Sequence, residues 1–120
     1  MIEALFYNYM REMLRQTPME FHRYLYDEIN WDNRLIGILG PRGVGKSTLI
    51  LQHIKALDAP RTHIFITAES LWFSEHTLLE FADCFSAMGG EYLYIDEIHK
   101  YKGWSRELKL IYDMHPALHV

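Results

Sequence analysis

Residues 40–47 read Gly-Pro-Arg-Gly-Val-Gly-Lys-Ser, a glycine-rich turn that few folds can accommodate. Every fixed position of the pattern G-x-x-x-x-G-K-[ST] is filled. Gly40, Gly43 and Gly45 allow backbone angles and close approaches that a Cβ would forbid. Pro41, Arg42 and Val44 fill the spacing between them. Consecutive amide N–H groups in such a loop can converge on one anion. The loop also needs a strand before it and a helix behind it, and the flanks supply both. Arg34 to Leu39 is short and almost wholly apolar, as suits a strand buried on both faces. A helix is expected over 46–57, with Leu49, Ile50 and Ile54 packing inward. Its first amides and dipole favour the same anion. Lys46 can then reach terminal phosphates, the Ser47 hydroxyl can ligate Mg²⁺, and the Thr48 amide closes the cradle.

The second informative segment is Tyr92-Leu93-Tyr94-Ile95 followed by Asp96-Glu97. An acidic pair at the C-terminal end of a parallel strand faces the crevice where α/β proteins bind ligands. Asp96 suits Mg²⁺ held through its water shell, and Glu97 suits a general base for the water that attacks a γ-phosphate. Acidic ends of strands are common; it is the phosphate loop upstream that gives this one its meaning. The sequence has no Asn-Lys-x-Asp element of the kind used for guanine selectivity, so ATP is the expected nucleotide.

Periodicity supplies the remaining elements. Ile2, Leu5, Phe6, Tyr9, Met10, Met13 and Leu14 mark an amphipathic helix over 2–15. Thr17-Pro18-Met19-Glu20 then reads as the N-cap and first turn of a helix over 18–29. His63 to Thr67 reads as a strand. Ser74 could cap a helix over 75–87 that Gly89-Gly90 ends, and a last helix is expected over 104–114, stopped by Pro116. Leu118-His119-Val120 looks like the start of a fourth strand. Alternating strands and helices imply parallel pairing through right-handed crossovers, hence an α/β fold. The expected organisation is a helical segment over 1–30 and a nucleotide-binding core over 31–120.

At 120 residues the chain has room for one domain, and 49% hydrophobic residues suffice for a core. The net charge of −4 argues against a protein built mainly to neutralise nucleic-acid phosphates. All of that charge comes from residues 61–120, since acids and bases balance over 1–60. No run of about 18 apolar residues suggests a membrane span. No signal peptide is recognisable, and a single cysteine, Cys84, allows no internal disulfide, so a cytoplasmic protein is expected.

Several other residues have a plain reading beside a functional one. Asp96-Glu97-Ile98-His99 has the letters of a DExH helicase box, but His99 suits a polar contact just past the strand better. Arg42 could meet a phosphate or point toward a partner subunit. Lys100, Lys102, Arg106 and Lys109 make a basic run that reads first as a solvated face and second as an anion contact. Trp72, Tyr101 and Trp104 are expected to pack with a polar edge exposed, and Cys84 to be a small hydrophobe beside Phe81 and Phe85.

Two stretches together resemble a known family. Leu35 to Leu51 (LIGILGPRGVGKSTLIL) and Tyr92 to Asp113 (YLYIDEIHKYKGWSRELKLIYD) are similar to the AAA-like P-loop ATPase domain of bacteria and archaea that usually precedes a nuclease-like C-terminal domain. The similarity runs from about Phe21 to Val120. It implies a three-layer α/β/α P-loop fold, ATP binding and Mg²⁺-dependent hydrolysis, with Lys46, Ser47, Asp96 and Glu97 in the roles given above. It also implies that the strand following the last helix inserts between the phosphate-loop strand and the Asp-Glu strand. Because that strand would only begin near Val120, its two neighbours are expected either to leave a gap between them or to find a substitute, in both cases with exposed apolar edges and a tendency to self-associate. The alternatives are a nucleotide-gated binding module with little hydrolysis, and a nucleic-acid-dependent DExH motor.

Overall fold

The computed structural model describes residues 2–17, 34–37, 46–57 and 62–120. Helix α1 spans Ile2–Arg15, as its periodicity requires. It buries Phe6, Tyr7 and Met10, and it packs on strand β1 (His63–Thr67) and helix α2 (Lys46–Ala56). The Thr17 hydroxyl, expected to start a second helix, donates back to the Met13 carbonyl at 2.7 Å and closes α1. Lys55 Nζ donates to the Thr17 carbonyl at 2.9 Å, tying α2 to this corner. The helix expected over 18–29 lies outside the described residues, as does the loop over 40–45.

β1 is buried over its first four residues, of which Ile64, Phe65 and Ile66 are apolar. It pairs in parallel with β2 (Tyr92–Asp96), in a register running from His63 opposite Tyr92 to Thr67 opposite Asp96. The outward amide of Phe65 is met by Met10 Sδ at 3.3 Å, so α1 covers that edge of the strand. On the other side of β2, residues 118–120 continue the sheet. The Leu93 amide donates to the His119 carbonyl at 2.7 Å and the His119 amide to the Glu91 carbonyl at 2.8 Å. Val120 then bonds the next segment in both directions. Its amide donates to the Arg34 carbonyl at 2.8 Å and its carbonyl accepts from the Ile36 amide at 3.0 Å. The lateral order is therefore β1, β2, residues 118–120, residues 34–36. Residues 118–120 thus lie between the Asp-Glu strand and the segment leading to the phosphate loop, the place expected for the inserted strand.

Helix α3 spans Leu78–Ala87, three residues shorter than expected. Ser74 does not cap it. Thr77 does, because Thr77-x-x-Glu80 forms a capping box: Thr77 Oγ1 accepts from the Glu80 amide and Glu80 returns to the Thr77 amide. Residues Leu71–Ser74 form a separate 3-10 turn started by Ser70. Gly89 has φ +88°, which ends α3 in the left-handed region. Helix α4 spans Trp104–Met114, as expected, with Gly103 at φ +79° before it.

The core holds Phe6, Ile54, Ile64, Phe65, Ile66, Leu78, Phe81, Phe85, Leu93 and Ile111, each essentially inaccessible. Burying a side chain of this size contributes about 1.5–3 kcal/mol. The Phe6 ring meets Trp72 and Phe81 edge-on at 5.6 and 4.7 Å, so α1 joins the same core as β1 and α3. Cys84, expected to pack, is exposed. The inner stripe of α3 runs through Leu78, Phe81, Ala82 and Phe85, and Cys84 falls on the helix flank. No helix among the described residues is long and apolar enough to cross a membrane.

Candidate functional site

Asp96 is the last residue of β2, and Glu97 follows it directly. Residues 34–36 run parallel to β2, because Val120 bridges to them in parallel fashion. In sequence, residues 34–36 precede the glycine-rich segment and α2. A strand-to-helix unit of the kind expected from the sequence would bring the start of α2 to the same edge of the sheet as the end of β2, the edge at which α/β folds place ligands. Lys46 and Ser47 are the first two residues of α2, and Thr48, the third, is half-buried. Gly40, Pro41, Arg42, Gly43, Val44 and Gly45 lie outside the described residues.

A cleft of about 220 Å³ opens between β2 and residues 35–37. Leu35, Ile36 and Ile50 line it along with Tyr94, Ile95, Trp104 and Leu108, and so do Asp96, Glu97 and His99. The cleft brings the acidic pair and Ile50 of α2 to one largely apolar slot.

Glu97 has φ +56° and ψ +35°, the only left-handed non-glycine backbone among the described residues. Such conformations are held by their surroundings and concentrate at functional sites. A 3-10 turn, Ile98–Lys100, follows it. His99 Nε2 sits 3.4 Å from Glu97 Oε2. This contact stays within the turn and is made to the candidate base, whereas the sequence favours a cap or a contact to a neighbouring loop for His99.

Three contributors were not legible in the sequence. Tyr9, from α1, stacks on Phe65 at 6.2 Å. Its phenol is raised above the ordinary tyrosine range, first by burial and then by the charges of Asp96 and Glu69, so α1 reaches the neighbourhood of the acidic pair. Arg34 lies 3.9 Å over the Tyr112 ring and donates to the carbonyls of Tyr112 and His115 at 2.7 and 3.1 Å. A cation there suits the carbonyl end of α4 and anchors residues 34–36 to it. Tyr101 donates from its hydroxyl to Glu107 Oε2 at 2.5 Å and accepts from the Leu78 amide at 3.2 Å. Burial, then the Glu107 hydrogen bond, raises its phenol too.

The basic run stays at the surface. Lys100, Lys102, Arg106 and Lys109 are exposed, and Lys109 pairs with Asp113 at 3.1 Å. Among the described residues, no group of three or more His, Cys, Asp or Glu side chains could hold a metal ion.

A family model described as an AAA domain matches residues 32–120. The chain belongs to the AAA domain family. That match takes in both motif segments and the cleft between them. Membership makes this AAA domain a P-loop ATPase-like, nucleotide-binding module. No curated protein and no solved structure matches the chain significantly.

Proposed function

We propose that this AAA domain binds ATP with Mg²⁺ and hydrolyses it at the edge where α2 begins and β2 ends. The loop Gly40-Pro41-Arg42-Gly43-Val44-Gly45 and the amides on to Thr48 cradle the phosphates. Lys46 offsets the γ-phosphate charge. Ser47 and Asp96 hold the metal, and Glu97 takes the proton from the attacking water. The observation that carries this reading is the left-handed Glu97 beside Asp96, both lining the cleft. The donor set fits as well. A carboxylate and a hydroxyl are hard oxygen ligands, and Mg²⁺ takes few such protein ligands because it keeps water and phosphate oxygens in its shell. When bound, the ion would neutralise charge between the β- and γ-phosphates.

Titration with a fluorescent ATP analogue, with and without Mg²⁺, tests binding. Lys46→Ala is expected to weaken it about tenfold or more, the cost of losing one charge-assisted contact. Binding equal to that of the parent protein would remove Lys46 from the cradle. Glu97→Gln is expected to keep binding and to lose about 10²-fold or more in turnover, in keeping with loss of a general base. Unchanged phosphate release would remove Glu97 from the chemistry.

A further inference from the structure

The turn that follows the acidic pair is tied to two helices at once. Within the turn, the Lys100 amide donates to the Glu97 carbonyl and the Tyr101 amide to the Ile98 carbonyl, each at 3.0 Å. These short bonds alone do not explain why Glu97 adopts a backbone region that a side chain disfavours. The tie comes from the Tyr101 side chain. Its hydroxyl donates to Glu107 Oε2 at 2.5 Å and accepts from the Leu78 amide at 3.2 Å, while Glu107 Oε1 accepts from the Leu79 amide at 3.1 Å. Its ring stands edge-on to Phe73 at 5.9 Å. The first turn of α4 and the first two amides of α3 thus close on the Tyr101–Glu107 pair. Thr77 and Glu80 already cap α3 locally, so Tyr101 and Glu107 add a long-range connection to a helix start that has its own cap.

We propose that Tyr101, clamped by Glu107 and the N-terminus of α3, is the positioning residue that holds Glu97 in its left-handed conformation and aims its carboxylate into the cleft. This rests on the reading of Glu97 as the base for ATP hydrolysis. Removing the hydroxyl keeps the ring and its Phe73 contact but releases the turn. The turn can then relax toward an ordinary backbone, which swings the Glu97 side chain away. A displacement of that kind lowers the rate of the chemical step and leaves nucleotide affinity alone, because the phosphate cradle is elsewhere.

The test uses the full chain carrying Tyr101→Phe, with Glu107→Gln as a second variant should the first fold poorly. Amide hydrogen exchange and steady-state ATP turnover are measured on each. In Tyr101→Phe the amides of 98–101 are expected to exchange about tenfold faster, while those of β1 change less than about twofold. kcat is expected to fall about tenfold with KM for ATP within about twofold of the parent value. Glu97→Gln is expected to abolish turnover and leave exchange in the turn unchanged. A uniform rise in exchange across β1 and the turn, or an unchanged kcat in an active parent protein, overturns the role of Tyr101 alone. No turnover by the parent protein overturns the ATPase reading itself, and with it the purpose assigned to Tyr101.

Discussion

His63 shows how one side chain can carry a pH dependence at a distance from the nucleotide site. It is buried at the start of β1, its Nδ1 is 3.0 Å from the Tyr94 hydroxyl, and its ring stacks on Tyr92 at 4.4 Å. Tyr92 in turn stacks on His119 at 4.3 Å, so three rings line up across three neighbouring strands. Desolvation holds His63 below the usual histidine range, outweighing Glu91, and His119 adds to the lowering. A depressed folded-state value means that protonation favours the unfolded chain. The stability it contributes is complete above about pH 6.5, the unfolded value, and is lost as the pH falls from there toward the folded value. The Tm of the parent protein should drop between pH 7 and pH 5. The slope attributable to His63 should be at most about 1.4 kcal/mol per pH unit, the limit for one proton. His63→Gln should flatten that part of the curve. An identical pH profile for the variant would show that His63 is not the group responsible. None of this was legible in the sequence, because the ring column depends on which strands are neighbours.

The helices and strands were the most legible level, and the misses there have local causes. β1, α1, α2 and α4 follow their apolar periodicity closely. The start of α3 was displaced because Ser74 and Thr77 are both plausible caps. Only Thr77 has a glutamate three residues on, and Ser74 instead donates its hydroxyl to the Leu71 carbonyl at 2.7 Å. Thr77→Ala should destabilise the protein by about 1 kcal/mol, seen as a lower Tm, whereas Ser74→Ala should cost less. The end of α3 makes a sharper prediction. A Cβ on Gly90 would come within 2.4–2.5 Å of Phe85 ring atoms, and Phe85 is fully buried. Gly90→Ala should therefore cost about 1–3 kcal/mol through overpacking, measurable by denaturant titration. A change below about 0.5 kcal/mol would mean that the ring can move aside.

For the molecule as a whole, the acidic pair is legible in local pattern but its support is not. Asp96 and Glu97 could be read from one strand and one motif. The contributions of Tyr9, Arg34 and Tyr101 required knowing that α1 lies on β1, that residues 34–36 reach the end of α4, and that the turn after Glu97 meets α3. Such contacts span up to 81 residues of sequence, and local pattern does not specify them. Residues 118–120 occupy the position beside β2, and the cleft runs along them toward residues 35–37. Around it Leu35, Trp104 and Tyr112 are each 38–45% exposed, an apolar surface on one side of the sheet. Sedimentation velocity over a range of concentrations should reveal self-association through this face. Leu35→Lys should shift the equilibrium toward monomer. A single concentration-independent monomer peak for the parent protein would refute the expectation.

The Met10 sulfur that meets the Phe65 amide has a consequence for β1. With α1 laid along its outer flank and the Phe65 amide already engaged, that strand is a poor template for a passing chain. The helix serves as a guard against edge-to-edge joining on this side of the sheet.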